Sequence, residues 1–424
     1  MQAEMLMQQV GNVLRGVSQL TEQLELRRNQ TDLHTAALAF RLLRQHGHPV
    51  TQEIFKCFMD IDSGRFKLSL VKDIKGMISL YEASYHGAEG EGILGEAFDF
   101  TKTHLPKLKI MDPYLEVLVA HSLELPLFWR PSIAEARWFI EEAYEKNPKM
   151  LPVLLQLAKL DFNIVQGLHK EELRELWTYF GKDLSFARDS LVASYMWGLY
   201  AAPQPQYEAC REVSTEVIAL VSTVDDMYEV WDTTTMEQLP AYMKKCFLAL
   251  NKFVEELAND IPKEKGLNVW INQARAYLTE AQWYHKGHRP TLDEYMGNAW
   301  ISMPAPLCTM HAYVVDTEQV TLIELKCLEN DLDFMKLAGT IGRLVDDLGT
   351  SSDEMARGDV PKAIQVYAME NKILPHSAVE MIPNLLKGAH FFYMHGDGHG
   401  IQDKETKVIM SKLLFDPIPA SDAD

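Results

Sequence analysis

The sequence predicts an all-α protein built from two helical domains, and three observations carry that prediction. Apolar residues recur at steps of three and four along many windows, as helices with one buried face require. Val213, Val217, Leu220, Val224 and Tyr228 form one such series, and Phe334, Ala338, Ile341, Val345 and Leu348 another. Sustained period-two alternation, the mark of half-buried strands, is scarce. The 19 prolines and 23 glycines fall mostly between the apolar series, in stretches such as "HLPKLKIMDP", "YAAPQPQ" and "ISMPAP", where they end helices. A chain of 424 residues has room for about two or three domains of ordinary size. With no fixed-period repeat, a regular solenoid is disfavoured.

Charge and cysteine usage narrow the partners. Lys plus Arg number 41 against 60 Asp plus Glu, a net charge of −19. Such a surface repels nucleic-acid phosphates and anionic membranes, yet one small anionic ligand remains compatible where local cations or a bound metal reverse the field. The five cysteines are odd in number and show no CxxC spacing, which disfavours a disulfide framework or a cysteine zinc site and fits a reducing compartment. No run of 18 apolar residues occurs, so no membrane span is expected. The opening "MQAEMLMQQVGNVLRGV" lacks secretory and transit composition, so any targeting peptide is expected to be already removed.

Taken in order, residues 1–147 read as the first helical domain and 148–424 as the second. The polar stretch "EEAYEKNPKM" precedes the apolar run Leu151–Leu160 and marks the boundary. Within the first domain, "HGAEGEGILG" (His86–Gly95) has spaced glycines, but Glu89 and Glu91 oppose phosphate cradling, so it reads as a helix–helix connection.

Two acidic clusters stand out in the second domain. In Asp225-Asp226-Met227-Tyr228-Glu229, positions 225 and 229 share a helix face, and like charges there repel unless a cation neutralises them. Asp226 can reach the same ion or orient its surroundings. The alternative is a solvated helix end, but the apolar run Val217–Val224 before it makes this a core-facing helix. In the second cluster, Asp346, Thr350 and Glu354 lie at i, i+4 and i+8 and offer hard oxygen ligands of the kind Mg²⁺ prefers. The competing reading pairs Arg343 with Asp347 and leaves Thr350 and Glu354 merely exposed. Arg188, Arg343, Arg357 and Lys362 gather near the clusters in sequence, enough for a diphosphate clamp despite the overall acidity.

"DDMYE" and "DDLGTSSDE" resemble the two metal motifs of plant class I terpene synthases. The resemblance extends through "DLHTAALAFRLLRQHG", "EARWFIEEAYE", "AKLDFNIVQ", "LSFARD", "WDTTTMEQLPAYMKKCFLALN", "PTLDEYMGNAWIS", "RGDVPKAIQVY" and "GDGHGIQ", in the family order and over essentially the whole chain. It is strongest to angiosperm monoterpene synthases. It implies an N-terminal α/α-barrel-like domain, a C-terminal class I terpenoid synthase bundle, and ionisation of geranyl diphosphate to a carbocation. By resemblance, Asp225, Asp226, Glu229, Asp346, Thr350 and Glu354 hold three Mg²⁺ ions, with Mn²⁺ the alternative metal. Arg188, Arg343 and Lys362 grip the departing diphosphate, with Arg357 beside them. Trp197 faces the carbocation, Tyr393 lines the same cavity, and a broken helix at Ser302–Pro306 presents carbonyl dipoles. The alternative for Trp197 and Tyr393 is as core aromatics, and for Arg188 and Lys362 as surface charges. His395 and His399 have metal-pair spacing, but the intervening glycines make a loop the better reading. The resemblance also implies a monomer or homodimer in the plastid stroma, otherwise the cytoplasm. Rival readings are an inactive homologue binding prenyl diphosphate or a protein partner, a sesquiterpene synthase using farnesyl diphosphate, and a prenyl-chain elongating synthase.

The chain departs from the family pattern in places. Glu229 stands where Asp is usual, and Arg188-Asp189-Ser190 where Arg-Asp-Arg is usual. No tandem arginine with a nearby downstream Trp is present, although that element accompanies cyclising members. Segments are shortened after "DDMYEV", between "TEQLEL" and "DLHTAALAF", before Asp183, around "HAYVVDTEQVTL" and between "YAMENK" and "FFYMHGDGHG".

Overall fold

The computed structural model describes residues 32–88, 90–179, 190–228, 263–288, 290–316, 335–346, 388–389, 391–394 and 404–419. Among them the secondary structure is helical, with one isolated antiparallel bridge between Met59 and Phe66. The chain forms two compact units, Met1–Phe128 with Phe139–Leu151, and Trp129–Trp138 with Pro152–Asp424.

In the first unit, helices α1 (Leu33–Gln45), α2 (Ile74–Ser84), α3 (Gly92–His104) and α4 (Pro113–Glu124) carry the core. Each start has a local cause. Asp32 accepts from the Thr35 amide ahead of α1, Asp73 from the Gly76 amide ahead of α2, and Asp112 from the Tyr114 amide ahead of α4, whose first residue is Pro113. Leu33, Ala37 and Phe40 of α1 meet Met77 and Leu80 of α2, and Leu94 and Ala97 of α3 complete the same core. Gly76 is required where α1 meets α2, because a Cβ there would stand 2.2 Å from the Asp73 carboxylate and 3.1 Å from Leu33. The segment His86–Gly95 makes the α2–α3 connection and then opens α3, with Gly90 at φ +83°. Its Glu91 forms a two-point ion pair with Arg44, which holds that carboxyl below its ordinary pKa.

The second unit begins with α5 (Ser132–Trp138) and the long α6 (Pro152–Tyr179). Arg137 of α5 is buried and donates to the carbonyls of Lys412 and Asp416 at the end of the C-terminal helix α13 (Lys404–Leu414). From α6, Gln166 donates to the Lys412 and Leu413 carbonyls at 2.9 and 3.1 Å, and Asn163 exchanges two bonds with the Ile418 backbone. The orphan carbonyls of the last turn are thereby satisfied inside the protein. Between these lie α7 (Leu191–Ala201), α8 (Glu208–Tyr228), α9 (Lys263–Lys286), α10 (Leu292–Ser302), α11 (Ala305–Asp316) and α12 (residues 335–346). Every residue from Ala193 to Ala201 is buried, so α7 is a central helix, apolar all round, and it packs along α8. α8 packs in turn on α11. No helix among the described residues is long and apolar enough to cross a membrane.

Candidate active site

Six segments of the second unit line a cavity of about 130 Å³. Trp197 of α7 forms one wall. Its ring lies 5.2 Å from Phe392 and 5.8 Å from Tyr393, tilted against both, so three aromatic rings meet at one end. Ile218, Val221 and Ser222 of α8 and Tyr277 of α9 continue the lining. Such a wall excludes water and presents π faces, the environment a carbocation requires.

The junction of α10 and α11 supplies the next wall through Ser302–Ala305 and Cys308. A Thr291–Glu294 capping box starts α10. The helix stops at Ser302 because Met303 turns to extended backbone (φ −70°, ψ 132°) and Pro304 and Pro306 lack amide hydrogens. The break is held from α9: Gln273 donates to the Ser302 carbonyl at 2.7 Å, while the Ser302 hydroxyl and the Asn298 amide both donate to Glu280, at 2.7 and 3.0 Å. The Ser302 and Pro304 carbonyls therefore have protein partners, the latter the Cys308 amide at 2.9 Å. Burial pushes the Cys308 thiol pKa up, so it lines the cavity as a neutral group.

α12 closes the polar side with Gly342, Arg343 and Asp346. Its glycines explain how it comes so close. A Cβ on Gly339 would lie 2.4 Å from the Trp300 carbonyl, and one on Gly342 would lie 3.3 Å from Met303. Arg343 donates to the Asp346 carboxylate at 3.0 Å, both side chains mostly buried. Asp346, at i+3, is thus one partner of Arg343. Asp347, its suggested i+4 partner, lies outside the described residues.

Four expected site residues, Trp197, Tyr393, Arg343 and Asp346, therefore line one cavity although they are scattered over two hundred positions of sequence. α8 runs unbroken to Tyr228, which puts positions 225 and 226 one turn beyond Val221 and Ser222, both cavity-lining. The expected residues Arg188, Glu229, Thr350, Glu354, Arg357 and Lys362 lie outside the described residues, as do His395 and His399. Among the described residues no three metal-binding side chains converge. Of the expected metal ligands, Asp346 stands at the cavity wall and offers the hard carboxylate oxygens a divalent cation takes, while the backbone of α8 carries positions 225 and 226 on from Val221 and Ser222.

Sequence reasoning did not single out Tyr277 or Cys308, whose helices carry many similar apolar residues. It also missed the charged cluster behind Trp197. Glu172 of α6 and Arg211 of α8 form a two-point ion pair at 2.6 and 2.8 Å, with Arg211 wholly buried, and Tyr195 of α7 donates to the same carboxylate at 2.6 Å. Burial raises the Glu172 pKa, but the bonds from Arg211 and Tyr195 outweigh it and hold the carboxyl below its ordinary value. His169, one turn before Glu172, is fully buried and neither ring nitrogen has a hydrogen-bond partner. Its pKa falls to about 4, first through burial and then through the nearby Arg211 charge; Glu172 and the Pro203 carbonyl, the latter outside hydrogen-bond geometry, offset only part.

Two all-α units, the second holding an aromatic cavity with an acidic and cationic edge, define a two-domain helical enzyme of the class I terpenoid synthase type. Residues 178–390 match the pattern described as the terpene synthase family metal-binding domain, and residues 4–123 match the terpene synthase N-terminal domain. The chain is 42% identical to the chloroplastic myrcene synthase of Quercus ilex, over 92% of this chain and 74% of that protein, and 41% identical to a (-)-alpha-terpineol synthase of Vitis vinifera, over 92% and 76%. Among solved structures, it superposes on the grey poplar isoprene synthase complex with three Mg²⁺ ions and dimethylallyl-S-thiolodiphosphate. There the TM-score is 0.87 at 32% identity, covering 96% of this chain and 89% of that one. A limonene synthase bound to 2-fluorolinalyl diphosphate gives a TM-score of 0.83 at 34% identity, covering 92% and 83%. The chain belongs to the terpene synthase family. Its alignment with the Quercus protein runs over 447 positions, more than the whole 424-residue chain, so it crosses positions this chain lacks.

Proposed function

We propose that the protein is a Mg²⁺-dependent monoterpene synthase that ionises geranyl diphosphate and releases a monoterpene, acyclic or cyclic, plus diphosphate. The observation that carries this reading is the cavity itself, whose lining combines the aromatic Trp197 and Tyr393 with the charged Arg343–Asp346 pair. Residues 148–424 act as the catalytic domain in this reading and residues 1–147 as the N-terminal helical domain. Asp225, Asp226, Glu229, Asp346, Thr350 and Glu354 hold the metal, and Arg188, Arg343, Arg357 and Lys362 bind the diphosphate. Mg²⁺ held by these oxygens would neutralise charge developing on the leaving group, and Mn²⁺ could take its place on the same ligands.

The chain's own residues do the rest. Arg343 balances negative charge as the C1–O bond breaks and its electron pair leaves with the diphosphate. The allylic cation left behind has the Trp197 and Tyr393 rings beside it, with Phe392 packed against both, and the apolar Ile218, Val221 and Met303 keep water away until the end. Loss of a proton or capture of one water completes the sequence. Relatives named chloroplastic support a plastid as the place of action, with the stroma the compartment proposed within it.

The test is incubation of purified protein with geranyl diphosphate and Mg²⁺, with volatile products and released diphosphate both measured. The expected result is a monoterpene. No diphosphate release with Mg²⁺ or Mn²⁺ refutes the reading. Preferential turnover of farnesyl diphosphate replaces it with a sesquiterpene synthase, and longer prenyl diphosphates formed with isopentenyl diphosphate point to a chain-elongating enzyme.

A further inference from the structure

Glu172, Arg211 and Tyr195 take no part in the cavity, yet they join the three helices behind it. Arg211 opens α8. Its guanidinium spans the Glu172 carboxylate on α6 and also donates to the carbonyls of Ala202 at 2.7 Å and Gln204 at 2.6 Å, the turn connecting α7 to α8. Tyr195, two residues before Trp197, ties α7 to the same carboxylate. The backbone of Arg211 is equally constrained. Its carbonyl accepts from the Thr215 hydroxyl at 2.6 Å, and Gly198 rests on it so closely that a Cβ would stand 2.9 Å from that oxygen.

A wholly buried ion pair is a poor means of gaining stability, because desolvation cancels much of the attraction and apolar replacements often serve as well. What a planar fork with several fixed partners does provide is a single geometry. Here that geometry fixes where α7 lies along α8.

We propose that Arg211 is a positioning residue for the ionisation step: held by Glu172 and the 202–205 turn, it sets the register of α7 against α8, and so the place of the Trp197 ring relative to the acidic end of α8. This rests on the reading that Trp197 faces the cation and that position 225 holds metal. A shift of under an ångström at the Arg211 end would be carried to both, since each sits on a continuous helix from the clamp.

The experiment compares wild type with Arg211→Lys, which keeps the charge but loses the fork, and Tyr195→Phe, which removes one hydrogen bond and leaves the ion pair. Leu413→Ala, a buried change in α13 away from the cavity, is the control for lost stability. Two readouts are taken well below each Tm. The first is the ¹⁹F spectrum of 5-fluorotryptophan protein, with the Trp197 resonance assigned through its absence in Trp197→Phe; it needs no turnover. The second is kcat, KM and product ratio with geranyl diphosphate and Mg²⁺. Both clamp variants are expected to shift the Trp197 resonance, lower kcat tenfold or more for Arg211→Lys with KM within about threefold, and alter the product ratio. Leu413→Ala is expected to lower Tm while leaving resonance and product ratio in place. An unmoved Trp197 resonance in both clamp variants overturns the proposal, as does a moved resonance with unchanged kcat and products. An inactive wild type refutes the monoterpene reading, while the resonance still decides whether the clamp places Trp197.

Discussion

His169 makes the stability of the second unit depend on pH in a way that one substitution removes. In the folded protein its pKa is about 4 against an ordinary 6.5, because the buried ring accepts no charge beside Arg211. Below pH 6.5 the unfolded chain takes up a proton that the folded chain refuses, so the contribution is fully present above that pH and is lost as pH falls towards 4. The full span of about 2.5 pH units corresponds to roughly 3 kcal/mol, and the part between about pH 7.5 and 5.8 to about 1 kcal/mol. His169→Leu removes the titrating ring. It also removes two buried nitrogens that have no hydrogen-bond partner, so it is expected to cost little at neutral pH despite the change of shape. The assay is urea unfolding of both proteins at the two pH values, followed by tryptophan fluorescence. Wild type should lose about 1 kcal/mol more than His169→Leu on going to the lower pH. Every other ionisable group is common to both proteins, so its contribution cancels in the comparison. Equal losses in the two proteins, or a ring that titrates near 6.5 by NMR, refute the reasoning.

Three further outcomes follow from the cavity and its supports. Asp346→Asn should lower turnover of geranyl diphosphate by roughly 100-fold and raise the Mg²⁺ concentration needed for half-maximal rate, measured as diphosphate release. Trp197→Leu keeps an apolar side chain but removes the aromatic face, and should slow ionisation by roughly tenfold or more, in line with a cation–π contact of about 2 kcal/mol away from water. Gly198→Ala places a Cβ 2.9 Å from the Arg211 carbonyl, a backbone atom that cannot swing aside. The overpacking should cost about 2 kcal/mol in urea unfolding, whereas a neutral result would mean α7 and α8 separate more easily than their packing indicates.

The helices were legible where apolar spacing was sustained. The series Val213 to Tyr228 falls within α8, and the series from Phe334 overlaps α12. "ISMPAP" marked the break between α10 and α11, since proline chemistry is local. Convergence is another matter. Trp197, Arg343 and Tyr393 meet only because whole helices pack, and no window of sequence holds that information; the family resemblance supplied it. Arg343 has carboxylates at both i+3 and i+4, which are equally near on a helix, so spacing alone could not single out the bond to Asp346 that the structure describes. Glu172 and Arg211 sit in "HKEELRE" and "EACREV", strings that read as solvated faces. Their burial depends on the turn at 202–205, which no periodicity could announce.

Under the proposed function, the Arg343–Asp346 contact at 3.0 Å joins a cation assigned to the substrate to an anion assigned to the metal. Each is therefore a competitor for the other's ligand. A divalent cation that takes the Asp346 carboxylate draws it from the guanidinium, and a diphosphate that takes the guanidinium draws it from the carboxylate. Whichever ligand arrives first weakens the internal pair and lowers the cost of admitting the second. By thermodynamic reciprocity the substrate must then tighten the metal by the same factor that the metal tightens the substrate. Metal affinity measured without a diphosphate will understate the affinity during turnover.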